Sequence, residues 1–162
     1  MVRIAPIRVA ERGAAPTVGK ELKSYLSENI LFEDEGLLIF NKPSGLAVHG
    51  GSGVSLGAIE AFRAERPEQR FLELVHRLDK ETSGCLMFAK KRSVLLELQA
   101  AMQRNQITKK YQTLVMGNLL KGKTTVNAPL LKKQVSSGER IVRVDVEGKA
   151  TVTHFKIIER YK

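Results

Sequence analysis

Three short apolar runs limit the folds open to this 162-residue chain. Leu37-Leu38-Ile39-Phe40 follows an acidic Glu33-Asp34-Glu35. It ends at Asn41-Lys42-Pro43-Ser44-Gly45, where proline cannot donate to a ladder and glycine permits a turn. Phe71–Val75 alternates apolar and polar residues, and Cys85–Ala89 is apolar throughout. All three read as strands. Elsewhere the period changes. Leu56, Ile59 and Phe62 predict a helix from about Ser55 to Arg66, stopped by Pro67. Ser93 is expected to cap a helix reaching about Gln106, with Val94, Leu98 and Met102 on one face and Leu95 beside them. A short helix is expected over Leu22–Phe32, and Lys109–Met116 is a further strand candidate. Val142, Val144 and Val146 alternate with Arg143 and Asp145. With a turn at Glu147-Gly148-Lys149 and a return strand over Thr151–Ile158, they predict a hairpin. No internal repeat is present.

The second and third runs are joined by a polar segment, His76-Arg77-Leu78-Asp79-Lys80-Glu81-Thr82-Ser83-Gly84. Loops at the ends of buried strands often carry functional side chains. Arg77 and Lys80 beside Asp79 would hold it ionised. A turn with solvated charges reads equally well from local chemistry. His76 is expected to be a hydrogen-bonded structural residue, because the three histidines, His49, His76 and His154, form no close pair that would suggest a metal site. Val48-His49-Gly50-Gly51-Ser52-Gly53 lets backbone approach a ligand closely, but it lacks P-loop spacing.

Charge narrows the class of partner. Lys and Arg outnumber Asp and Glu 27 to 17, for a formal net charge of +10. That excess favours a polyanionic partner. Cys85 is the only cysteine, which excludes an intrachain disulfide and a cysteine-based zinc cluster. It is expected to be a small core residue of a protein from a reducing compartment. No apolar run has membrane-spanning length, and the N-terminal segment lacks the apolar stretch of a secretory signal, so a cytoplasmic protein is expected.

Taken together, Asn41-Lys42-Pro43-Ser44-Gly45, HRLDKETSGCLMFAKK from His76, and Lys109-Lys110-Tyr111-Gln112-Thr113-Leu114-Val115 resemble, in order, the motifs of the RluA-type pseudouridine synthases. The resemblance runs from about residue 28 to the end. Phe71–Val75, His49–Gly53 and Ser137–Val144 resemble most closely the members acting on large-subunit (23S) ribosomal RNA. It implies an α+β chain, a partial pseudouridine synthase fold with a mixed, mostly antiparallel sheet and flanking helices, which isomerises uridine in RNA without cofactor or metal. Asp79 matches the essential aspartate, acting as a nucleophile or as a base. Arg77 matches the arginine that fills the space vacated by the flipped base, and Tyr111 the active-site tyrosine. His76, Lys42 and Pro43 are further candidates at the RNA site, with Lys42 and Pro43 shaping its floor. Lys132, Lys133, Arg140 and Arg143 are candidates for phosphate contacts.

Two departures shape the expectation. Residues 1–27 resemble only a basic linker and the remnant of an S4-type RNA-binding domain, leaving 28–162 as the N-terminal portion of the catalytic domain. The family's later Arg-Thr-His-Gln-Ile-Arg motif, whose arginine pairs with the aspartate, has no counterpart here. The chain therefore reads as truncated at both ends, as a monomer, and as weakly active or inactive alone. The alternative is a non-catalytic RNA-binding fragment.

Overall fold

A computed structural model describes residues 18–51, 56–117, 124–134 and 140–161. Residues 1–17 of the expected linker and S4-like remnant lie outside the described residues, as do Ser52–Ser55 and the segment 135–139. The contacts divide the chain into two units, one ending at Lys110 and one beginning at Tyr111.

The first unit holds α1 (Lys20–Glu28), β1 (Ile30–Glu33), β2 (Leu37–Lys42), α2 (Ala58–Glu65), β3 (Glu73–Leu74), β4 (Gly84–Ala89) and α3 (Arg92–Gln103). Its four strands form one antiparallel sheet in the order β1-β2-β4-β3. The central pair runs in continuous register from Leu37 opposite Ala89 to Lys42 opposite Gly84. Successive side chains of a strand face opposite sides. Leu38 and Phe40 of β2 and Leu86 and Phe88 of β4 are accordingly fully buried, while Leu37, Ile39 and Asn41 of β2 and Cys85 and Met87 of β4 are only half-buried or exposed.

The helices supply the other half of this core. Leu26 of α1 and Ala58, Ile59, Ala61 and Phe62 of α2 join those strand residues. Phe62 stands edge-on to Phe40 and to Phe88, with ring centroids 5.1 Å apart in each pair. Each such contact adds about 0.5–1.5 kcal/mol beyond the area it buries. The N-terminus of α2 is held by Glu60, whose carboxylate accepts the backbone N–H of Gly57 at 3.0 Å and of Gly50 at 2.9 Å.

The second unit contains β5 (Thr125–Asn127), β6 (Leu130–Gln134), β7 (Arg140–Val144) and β8 (Val152–His154). They form two separate antiparallel pairs, β5 with β8 and β6 with β7. Every residue of β5 and β8 is exposed.

The α+β class holds, and so do the strands over the first and third apolar runs. Other expectations are corrected. Leu22–Phe32 is not one helix: α1 ends at Glu28, and Ile30–Glu33 joins the sheet as an edge strand. Phe71–Val75 keeps only Glu73 and Leu74 in β3. Lys91, not Ser93, occupies the cap position of α3. Lys109–Met116 runs without strand pairing, because none of the described strands hydrogen-bonds to it. The turn after Val144 is present, with Gly148 donating to the Asp145 carbonyl at 2.9 Å. The chains on either side of it do not pair with each other: β7 returns to β6, and Val152–His154 goes to β5. Cys85 is exposed, because strand alternation gives the inner face to Leu86 and Phe88.

A candidate active-site loop

β3 runs out through Val75 into the segment His76–Ser83, which returns to the sheet at Gly84. Gly84 has φ +115, a conformation that side-chain-bearing residues rarely adopt, so glycine suits the point where the loop re-enters the strand. Leu78 is buried in the main core and anchors the loop. Its neighbours Arg77 and Asp79 are exposed. A single apolar residue thus fixes the loop while the two charged side chains beside it face solvent. A turn closes directly after it, with the Thr82 N–H donating to the Asp79 carbonyl at 3.0 Å.

The loop is clipped to the segment that leaves β2. Lys42 is wholly buried. Its ammonium donates to the carbonyls of Pro43 at 2.9 Å, Leu46 at 2.8 Å and Lys80 at 2.9 Å, so all three N–H bonds are used. The Lys80 carbonyl also accepts the Gly45 N–H at 2.9 Å, and the Ser44 hydroxyl donates to the Glu81 carbonyl at 2.8 Å. Gly45 makes this turn at φ +85. Loss of water around Lys42 pushes its pKa below the usual lysine value, while the charges of Glu81 and Asp79 pull it back up. The carboxylate of Asp79 and the buried ammonium are therefore electrostatic neighbours, and the backbone that carries Asp79 hangs on Lys42.

His76 is occupied by the fold. Its Nε2 accepts the Met87 N–H at 3.2 Å, which places the proton of the neutral ring on Nδ1. Burial lowers its pKa below the ordinary value, the backbone hydrogen bond at Arg77 opposes that, and the charge of Lys109 adds to it. The ring ties the start of the loop to β4, the structural role expected from the sequence.

The candidate residues thus fall into groups. Lys42, Pro43 and the Asp79 loop are brought together, with Arg77 and His76 on the same loop. Tyr111 opens the second unit, with a side chain 63% exposed. Sequence reasoning missed Ser44, Gly45 and the carbonyls of Lys80 and Glu81 as the clip. The Asn41–Gly45 motif marks one side of it, but no local pattern shows that its partner lies 37 or 38 residues away. Of the phosphate candidates, Lys132, Lys133 and Arg143 are exposed in the second unit, and Arg143 pairs with Asp145 at 3.1 Å.

Known proteins resemble this chain in sequence and in fold. The chain is 55% identical over 163 residues to ribosomal large subunit pseudouridine synthase C of Pasteurella multocida, covering 100% of this chain and 50% of that protein. It is 53% identical to the protein of the same name from Escherichia coli K12, covering 99% of this chain and 50% of that one. The chain therefore spans about half the length of the curated relatives it matches. Among solved structures, human RNA pseudouridylate synthase domain containing 4 superposes with a TM-score of 0.65 at 26% identity, over 83% of this chain and 55% of that one. Human RNA pseudouridylate synthase domain containing 1 shares the fold with a TM-score of 0.58 at 17% identity, over 75% and 46%. Residues 36–162 match the family described as RNA pseudouridylate synthase, and with the Asp79 loop and its Lys42 clip inside that span, the chain belongs to this family.

Proposed function

We propose that this chain is the aspartate-bearing part of an enzyme that converts uridine to pseudouridine in large-subunit ribosomal RNA. The observation that carries the reading is the exposed Asp79 on a loop pinned by Leu78 and by the three-carbonyl grip of Lys42. In this isomerisation the C1′–N1 bond breaks and the base turns. C5 then bonds to C1′, the C5 proton leaves, and N1 gains a proton. Such chemistry needs a positioned carboxylate and shelter from water more than a shifted one. Asp79 acts at the sugar or the base, as a nucleophile or by removing a proton. The target uridine must first be flipped out of its stack. Arg77 then occupies the vacated space, and Tyr111 stacks on the flipped base and assists proton transfer at C5. Lys42 and Pro43 floor the site without reacting. The protein works in the cytoplasm, as a monomer and without a cofactor.

One observation favours a second reading, a non-catalytic RNA-binding fragment. Among the described residues Asp79 has no ion pair. Without an arginine to orient it, the aspartate is poorly placed to act. The assay is pseudouridine formation on unmodified large-subunit ribosomal RNA. Two proteins are compared: this chain alone, and this chain continued with the remaining residues of the Escherichia coli relative. The expected result is little turnover by the chain alone and full turnover by the continued form, lost on Asp79→Ala. Robust, Asp79-dependent turnover by the chain alone refutes the need for further residues. No turnover by the continued form refutes the synthase reading.

A further inference from the structure

The two ends of the first unit's sheet differ in how charge is handled. At the end where β1 turns into β2 and β4 runs towards α3, ion pairs gather. Glu33 meets both Arg66 and Lys90, the latter at 2.7 Å. Glu35 meets Lys91 at 3.0 Å. Glu73, which lies opposite Ala89, meets Arg63 at 2.7 Å. At the other end, where β2 leaves at Lys42 and the Asp79 loop enters β4, the exposed cations Arg77 and Lys80 make no ion pair among the described residues. Lys109 is likewise exposed, makes no ion pair among the described residues, and lies close enough to His76 for its charge to act on the ring. The carboxylates at this end, Asp79 and Glu81, both act on the buried ammonium of Lys42. Both carboxylates are exposed, and neither forms an ion pair with Lys80 or Lys109 among the described residues.

Lys80 is also unusually well mounted for an exposed lysine. Its carbonyl is held by the Lys42 ammonium and by the Gly45 N–H at once. The flexible stem therefore starts from a fixed point next to Asp79, and less freedom is lost when the ammonium finds an anion. We propose that Lys80 and Lys109 form a phosphate clamp that holds the RNA backbone along the rim of the Asp79 loop. The inference rests on the RNA reading above and goes beyond it by naming which cations hold the strand. It prefers these to Lys132 and Lys133, the adjacent lysines that stand out in the sequence.

The test is RNA binding by this chain, followed by fluorescence anisotropy with a labelled single-stranded fragment of large-subunit ribosomal RNA, at salt concentrations from about 50 to about 200 mM. A lysine that neutralises one phosphate contributes about 0.7–0.9 to the slope of log affinity against log salt. Lys80→Ala and Lys109→Ala should each make the loss of affinity across that range about threefold smaller than in the parent. Lys80→Arg should restore it. Arg92→Ala removes an exposed cation at the opposite end of the sheet, one with no ion pair among the described residues, and should leave the slope unchanged. Parental slopes in both lysine variants, with binding intact, overturn the clamp alone. Binding by the parent that is absent or insensitive to salt overturns the clamp and the RNA reading together.

Discussion

Replacing Lys42 by methionine tests the central structural claim, that a buried cation holds the aspartate loop. Methionine keeps most of the side-chain volume and removes all three donors. Of the three carbonyls, that of Lys80 keeps the Gly45 N–H, while those of Pro43 and Leu46 have no other donor among the described residues. An orphaned buried acceptor costs about 1–3 kcal/mol. Part of that is returned, because the variant no longer keeps an ammonium out of water. The expected net destabilisation is about 2–4 kcal/mol, read as a lower midpoint in urea unfolding at neutral pH with an unchanged m-value. The loss should be local as well as global. Amide exchange at Gly45 should quicken, since its acceptor carbonyl sits on the segment that Lys42 releases. Lys42→Arg should not rescue, because a planar guanidinium cannot aim three donors at converging carbonyls as an ammonium does. A Lys42→Met midpoint within about 0.5 kcal/mol of the parent, with Gly45 exchange unaltered, would refute the reasoning.

Two further outcomes follow from the charges. Arg66 and Lys90 hold the pKa of Glu33 below the ordinary carboxylate value, with the Arg66 hydrogen bond the largest cause. A depressed folded-state pKa contributes stability that is present above the unfolded value and is lost as pH falls through the folded one. Glu33→Gln should therefore cost about 1 kcal/mol at neutral pH, and the gap to the parent should close as the pH is lowered below about 4; a gap independent of pH would exclude the ion-pair account. His76 follows the same sign, since burial depresses its pKa. Its NMR titration midpoint should lie below the ordinary value of 6.5, with the neutral ring protonated on Nδ1. A midpoint at or above that value, or an Nε2–H ring, would contradict the hydrogen bond from Met87.

Local pattern determined a good deal of this protein. The apolar runs at Leu37–Phe40 and Cys85–Ala89 are strands because their length and composition suit a half-buried sheet. Pro43 and Gly45 mark the turn that follows, and the charged segment from His76 is a loop because it offers no periodic apolar face. The order of the motifs was enough to find the family. Partners distant in sequence were decided only by tertiary structure. Lys42 reads as a site lysine, yet it is buried and spent on carbonyls, one of them 38 residues away. Cys85 reads as core and faces out, because the register with β2 chose which side of β4 the helices cover. The strand at Val152–His154 was legible, but its pairing with Thr125–Asn127 was not. The physical reason is common to all three. Period and turn chemistry are written in neighbouring residues, whereas a hydrogen-bond ladder or a buried cation depends on which distant segment the folded chain brings alongside.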